Sequence, residues 1–215
     1  MEKKLIIVRG GGDIATGTIH RLWSAGLSVL VLEAEYPSAI RRQVAVSEAV
    51  YDGETVVEGM KGIRIGNWEE AEAVIAEGDV PVLVDPQGEA IRKLHPVVVV
   101  DGILAKKNLG TYKEMAPLTV ALGPGFEAGK DADVVIETMR GHNLGRLIRS
   151  GSALPDTGIP GNIGGYTAER VIHAAEAGIF HNVCRIGDMV NAGDEIARIE
   201  TAEGRMLGVP AAISG

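Results

Sequence analysis

The sequence predicts an α/β protein: a Rossmann-like, mostly parallel sheet followed by a smaller β-rich C-terminal domain whose tail is partly barrel-sandwich-like. Three observations predict it. The chain opens on a β-α-β unit of about thirty residues. The strand segments that follow are short continuous apolar runs alternating with helical stretches, as strands buried on both faces require. Past residue 105 the helical spacing gives way to turns rich in glycine and proline.

The elements follow in order. Leu5–Val8 is an apolar strand, and Gly10–Gly12 turn the chain. From Asp13, the positions Ile14, Ala15, Thr18, Ile19 and Leu22 keep a helical spacing until Gly26 stops it. Ser28–Leu32 is the second strand, ended by Glu33. Val44–Tyr51 and Lys61–Ile65 read as short strands. Asn67 and Glu70 form a capping box for a helix running to Glu77. Val80–Val84, a short helix Gln87–Leu94 and the four-valine strand Val97–Val100 complete the first domain, 1–105. In the second domain, 106–215, Leu118–Leu122 and Asp133–Thr138 are strands, 140–166 is turn-rich, and Arg170–Glu176 fits a short helix or a strand equally well. From Phe180 onward the pattern is short strands and turns.

Composition narrows the function classes. Lysine plus arginine is 21 against 29 aspartate plus glutamate, a net charge of −8, which argues against a nucleic-acid partner. Aromatic residues are 4% of the chain, too few for base-stacking platforms along a strand. One cysteine, Cys184, forms no internal disulfide and fits a reducing compartment. No apolar run approaches the ~18 residues that span a membrane, so a cytoplasmic protein without a membrane partner is expected. The sequence does not set the oligomeric state.

Gly10-Gly11-Gly12-Asp13-Ile14-Ala15 fits G-x-G-x-x-A, the alanine form of the dinucleotide fingerprint. The first glycine turns the chain, the second lets backbone approach a pyrophosphate, and a small third residue lets helix and sheet pack closely. The helix start offers unpaired amides and about half a positive charge. Glu33 ends the second strand, where a carboxylate binds a ribose 2′-hydroxyl. Asp13 is a good cap but a poor neighbour for an anion, and Arg41 and Arg42 suit either an NADP-like sugar end or a solvated surface. The same turn also suits a fold that no longer carries a nucleotide. Lys106 and Lys107, after the strand ending at Asp101, and His142, in a glycine-flanked polar loop, are further candidates for ligand contact. The five histidines are scattered and Cys184 has no spaced partner, so neither a metal site nor a catalytic residue is assigned.

Residues 186–200 resemble the first half of a biotinyl/lipoyl-type barrel-sandwich, Gly-Asp-x-Val-x-x-Gly-Asp-x-Ile-Ala-x-Ile. The next turn, Thr201–Met206, holds Arg205 and no lysine, which excludes covalent lipoyl or biotin. Val209–Gly215 resembles the opening of the second half, so the sequence is expected to be truncated there, or the remaining strands to be disordered or supplied from elsewhere.

Several segments together resemble one family. They are Gly10–Gly17, Glu35–Arg42 with Glu48–Tyr51, and Asp101–Asn108. Gly123–Asp131, Glu137–Gly145 and Thr157–Gly161 complete the set. The chain is similar across almost its whole length to the selenium-dependent molybdenum hydroxylase system proteins of the YqeB type, relatives of the xanthine dehydrogenase accessory proteins. The resemblance implies a role in maturing or inserting the cofactor of a molybdenum hydroxylase, which would be the partner. The ligand would be NAD(P), another nucleotide, or the phosphate or nucleotide part of a molybdopterin-type cofactor. An NAD(P)-dependent oxidoreductase and a non-catalytic interaction module with an empty cleft are the alternatives.

Overall fold

A computed structural model describes residues 4–215. The chain divides into two compact units between Asp156 and Thr157. The first unit holds β1 (Leu5–Arg9), α1 (Asp13–Ser24), β2 (Ser28–Glu33), α2 (Ala49–Asp52), β3 (Glu54–Val57), β4 (Met60–Ile65), α3 (Ala71–Ala76), β5 (Val80–Val84), α4 (Glu89–Leu94) and β6 (Val98–Asp101). Beyond these lie β7 (Leu118–Leu122), β8 (Glu127–Ala128), β9 (Val134–Ile136), β10 (Leu147–Ile148) and β11 (Gly151–Ser152). Nine of the strands form one sheet in the order β10-β9-β7-β6-β1-β2-β5-β4-β3. Seven of these, from β4 across to β9, are parallel, and β3 and β10 are antiparallel edges.

Side-chain alternation splits the core between the two faces of this sheet. On one face Ile6, Val8, Val31, Val82 and Val100 pack with Ala15 and Ile19 of α1. On the other, Ile7, Leu30, Leu83 and Val99 pack with Ala71 of α3 and Ala90 and Ile91 of α4. Ile7, Ile19 and Leu30 are fully buried, each contributing about 1.5–3 kcal/mol by leaving water.

Three local expectations are corrected. Residues 44–51 are not a strand but two 3-10 turns followed by α2. The buried positions Val46, Ala49 and Val50 stand at i, i+3, i+4, a helical face, and the strand of this region begins only after Gly53, whose φ is +84°. Asn67 makes no cap bond; its Nδ2 donates to Glu70 Oε1 at 2.7 Å, and the helix opens as a 3-10 turn before α3. The next helix starts at Glu89, where Asp85 accepts from the Glu89 and Ala90 amides at 3.0 and 2.8 Å. The division at 156/157 lies well past residue 105, because β7, β9 and β10 continue the first sheet. The texture changes near 105 because the connections beyond β6 lose their helices, not because the sheet ends.

The second unit, from Thr157, carries a three-stranded antiparallel sheet of β12 (Ile179–Asn182), β13 (Glu195–Glu200) and β14 (Met206–Pro210). Phe180, Ile199 and Leu207 are register neighbours on one face, where Ala197 and Ile199 are buried. The opposite face carries the pair His181–Glu200 at 2.9 Å. The undecided 170–176 run contains only the end of a 3-10 turn, Ala168–Arg170. Cys184 lies just past β12 rather than within a strand, its thiol 3.8 Å from the Glu195 carbonyl. No helix among the described residues is long and apolar enough to cross a membrane.

Candidate functional site

Counted outward from the centre, the parallel strands run β5-β2-β1 one way and β6-β7-β9 the other. With β1 as strand one this is the order 3-2-1-4-5-6, with the hairpin β3-β4 added beyond strand three. The order reverses between β1 and β6, and in open α/β sheets the crevice outside the carboxyl ends of the strands at that point is where ligands bind. Two segments of this chain leave the sheet there: Gly10–Gly12 after β1 and Gly102–Lys107 after β6.

The three glycines of the first segment do different work. Gly10 has φ +90°, and a Cβ on it would lie 2.8 Å from Ile103 Cα and 2.9 Å from Ile103 N. Its amide donates to the Leu32 carbonyl at 2.7 Å. Gly11 is hemmed in by Ser47 N and Val46, each 3.1 Å from a Cβ, and its carbonyl accepts from the Ser47 amide at 2.9 Å. Gly12, the N-cap of α1, has nothing within 4 Å of a Cβ. Ala15 is fully buried, and a Cβ on Gly102 would come 2.9 Å from its Cβ, so helix and sheet meet at close range here.

The amides at this turn are partly used already. Gly11 N donates to Glu33 Oε2 at 2.6 Å, and Ile14 N to Asp13 Oδ1 at 2.9 Å. Thr16 closes the first helical bond to Gly12 O, and its hydroxyl donates to the Gly12 and Gly11 carbonyls. Among the described residues the Gly12, Asp13 and Ala15 amides have no internal acceptor. Glu33 also accepts from Ala34 N at 2.7 Å. Two amides therefore fix its carboxylate, which keeps lone pairs for further donors.

The remaining candidates are placed as follows. Arg41 Nε lies 2.5 Å from Asp13 Oδ2, so the charge that made Asp13 a poor anion neighbour is countered by a cation from the segment after β2. Arg42 stands near Glu48, whose carboxyl is held above its ordinary value chiefly by burial, against the lowering effect of Arg42. Lys106 adopts φ +62° and pairs with Asp156 at 2.9 Å. Lys107 is exposed, and its backbone lies so close to Gly125 that a Cβ there would be 2.6 Å from Lys107 Cα. Ile103 thus ties its loop to the glycine turn, while Lys107 ties the same loop to the next one. His142 is exposed in the connection between β9 and β10, and no contact among the described residues joins it to the turn. The described residues hold no cluster of three or more histidine, cysteine or acidic side chains fit for a metal.

Sequence reasoning missed a buried polar network directly under the crevice. Arg9 and Asp101, register partners at the ends of β1 and β6, are 4% and 1% exposed. Arg9 Nη1 donates to Thr111 Oγ1 and lies 3.7 Å from Asp101 Oδ2, and Thr111 donates its hydroxyl to Asp101 at 2.5 Å. Burial pushes the Asp101 carboxyl up, while Thr111, the Ile103 amide and Arg9 pull it down without cancelling the rise. The signal available in the sequence was a charge ending each of two apolar strands. Glu137, after β9, is a second such case: buried, it accepts from the Met139 and Leu154 amides, both at 2.8 Å.

No family model matches the chain, and no solved structure does. A protein of Escherichia coli (strain K12) named "Uncharacterized protein YqeB" is 51% identical over 196 residues, 91% of this chain. The chain spans 36% of that protein's length.

Proposed function

We propose that this chain, a homologue of YqeB over 91% of its length, is a nucleotide-binding accessory protein in the maturation of a molybdenum hydroxylase. The observation that carries the binding half is the open backbone at Gly12, at the switch point of a 3-2-1-4-5-6 sheet. Gly12, Asp13 and Ala15 supply amides to a diphosphate, and α1 adds the favourable end of its dipole. Glu33 accepts from the sugar. Arg41 offsets Asp13, so that an anion does not meet an uncompensated carboxylate. The hydroxylase half rests on the resemblance of residues 35–51 and 137–161 to the selenium-dependent molybdenum hydroxylase system proteins. In this reading the chain holds a nucleotide, or the phosphate or nucleotide portion of the molybdenum cofactor, for delivery to the partner enzyme.

Calorimetric titration of the full chain with NAD(H), NADP(H), ATP and CTP tests the binding half. Saturable heat with at least one supports the reading; no heat with any removes it. Co-expression with a molybdenum hydroxylase tests the other half: cofactor content of the enzyme should fall when the chain is withheld.

A further inference from the structure

The stretch from Thr138 to Pro155 differs in charge from the rest of the chain. In a protein of net charge −8 it carries three arginines, Arg140, Arg146 and Arg149, and no acidic residue. All three are exposed, and among the described residues none of them meets a carboxylate. Only Arg146 has a side-chain bond, to Asn143 Oδ1 at 3.1 Å. In the same unit Lys61, Lys113 and Lys130 are each paired with a carboxylate. Leu144 and Leu147 stand among the arginines and are 59% and 56% exposed.

The stretch is held in shape. The Glu137 amide donates to the Arg146 carbonyl at 3.0 Å and the Gly145 amide to the Glu137 carbonyl at 2.8 Å, while the Leu144 and Arg146 amides close turns onto Gly141 and Asn143. β10, which follows, is the last strand of the nine-stranded sheet and pairs with β9 on one side only. Ile148 packs against the cluster of Ala121, Phe126 and Val135, and strand alternation turns Leu147 to the opposite face. Leu147 is thus an exposed apolar side chain on an open sheet edge, between Arg146 and, two residues on, Arg149.

We propose that β10 and the loop 139–146 before it form a docking edge for an extended acidic segment of another protein, one in which carboxylates alternate with apolar residues. The segment adds beside β10 through backbone hydrogen bonds. Its apolar side chains cover Leu144 and Leu147, and its carboxylates meet the arginine forks. Charge complementarity selects this occupant: a chain of net charge −8 repels acidic partners over most of its surface and admits them where arginines stand without carboxylates. An open strand edge also offers backbone donors and acceptors that a lipid surface does not use, and a loop already closed by turn bonds loses little freedom on binding. A protein segment is therefore favoured over an anionic membrane. The proposal stands independently of the nucleotide seat.

The test is fluorescence anisotropy of a labelled peptide alternating glutamate and valine over about eight residues, titrated with the full chain. Saturable binding that weakens as salt rises is expected, with no binding of the lysine-valine counterpart. Combined Arg140→Glu, Arg146→Glu and Arg149→Glu should weaken binding at least about tenfold, and combined Leu144→Ser and Leu147→Ser by about as much. Neither variant should move the thermal midpoint, since all five side chains are exposed. Bound peptide should slow amide exchange across residues 146–149, which ionic adhesion without strand pairing does not do. No binding of the glutamate-valine peptide, equal binding of the lysine-valine one, or insensitivity to the arginine variant would overturn the proposal. Binding to phosphatidylserine vesicles but not to the peptide would give the edge to a membrane, and self-association lost in the arginine variant would give it to a second copy; either result also overturns it.

Discussion

Alanine at Gly10 and at Gly12 should have opposite consequences, because one glycine serves the turn and the other the approach of a ligand. At Gly10 the backbone has φ +90°, which costs a β-carbon residue about 1–2 kcal/mol. The new Cβ would also lie 2.8–2.9 Å from the backbone of Ile103, which cannot swing aside as a side-chain end would. Overpacking of this kind costs about 1–3 kcal/mol, so Gly10→Ala should lose roughly 2–5 kcal/mol. At Gly12 the backbone has φ −64° and ψ 175°, allowed for any residue, and a Cβ meets nothing within 4 Å. Alanine is a poorer N-cap than glycine by about 0.5–1 kcal/mol, but it also restricts the unfolded chain by about 0.4–1 kcal/mol. The two nearly cancel, so Gly12→Ala should fold within about 1 kcal/mol of the parent yet place a methyl group where a diphosphate must approach. Urea unfolding gives the stabilities, and nucleotide titration gives the affinities. A destabilised Gly12→Ala with a normal Gly10→Ala would refute the assignment of one glycine to packing and the other to ligand.

Other outcomes follow from the same geometry. Asp101→Asn leaves the Arg9 charge buried without its carboxylate and should cost about 3–5 kcal/mol, measured by denaturant unfolding. Replacing Glu137 by glutamine should cost about 1–3 kcal/mol and expose residues 138–154 to hydrogen exchange, because two backbone amides lose a carboxylate acceptor. Burial tends to raise the Glu137 carboxyl, but the Leu154, Met139 and Thr138 amides outweigh it and hold it below its ordinary value of 4.5. Its contribution to stability is therefore complete above that value and is lost as pH falls through the lower folded one, so Glu137→Gln should flatten the acid limb of the stability profile. A chain ending at Asp156 should unfold cooperatively, since all three hydrophobic clusters lie before that residue. A chain ending at residue 105 should not, because it strips β6 of its pairing with β7 and leaves an unpaired apolar edge.

How much of this was legible depends on whether the cause was local. β1, β2, β5, β6 and β7 were read to within a residue or two, because a strand buried on both faces writes itself as an unbroken apolar run. The glycine turn and the first helix were equally plain. Residues 44–51 read as a strand because a run of mostly small or apolar residues fits period two as well as the i, i+3, i+4 face it uses, and only packing against α1 and the sheet decides between them. The capping box is not made because Glu70 takes the Asn67 side chain and the Gly66 amide, one residue short of the Asn67 amide that the box requires. At the site, the glycines and Glu33 could be named from spacing alone. Arg41 on Asp13 joins residues 28 positions apart, and Arg9, Asp101 and Thr111 meet only once β1 and β6 are neighbours. Long-range pairing of this kind leaves no periodic trace in one sequence.

The central claim is that the switch-point turn holds a nucleotide, and calorimetry on the parent chain beside Gly12→Ala tests it most directly. Saturable binding of a nucleotide by the parent, lost in a Gly12→Ala chain of unchanged unfolding midpoint, is the result predicted. Equal binding by the two chains, or none by the parent, would contradict it.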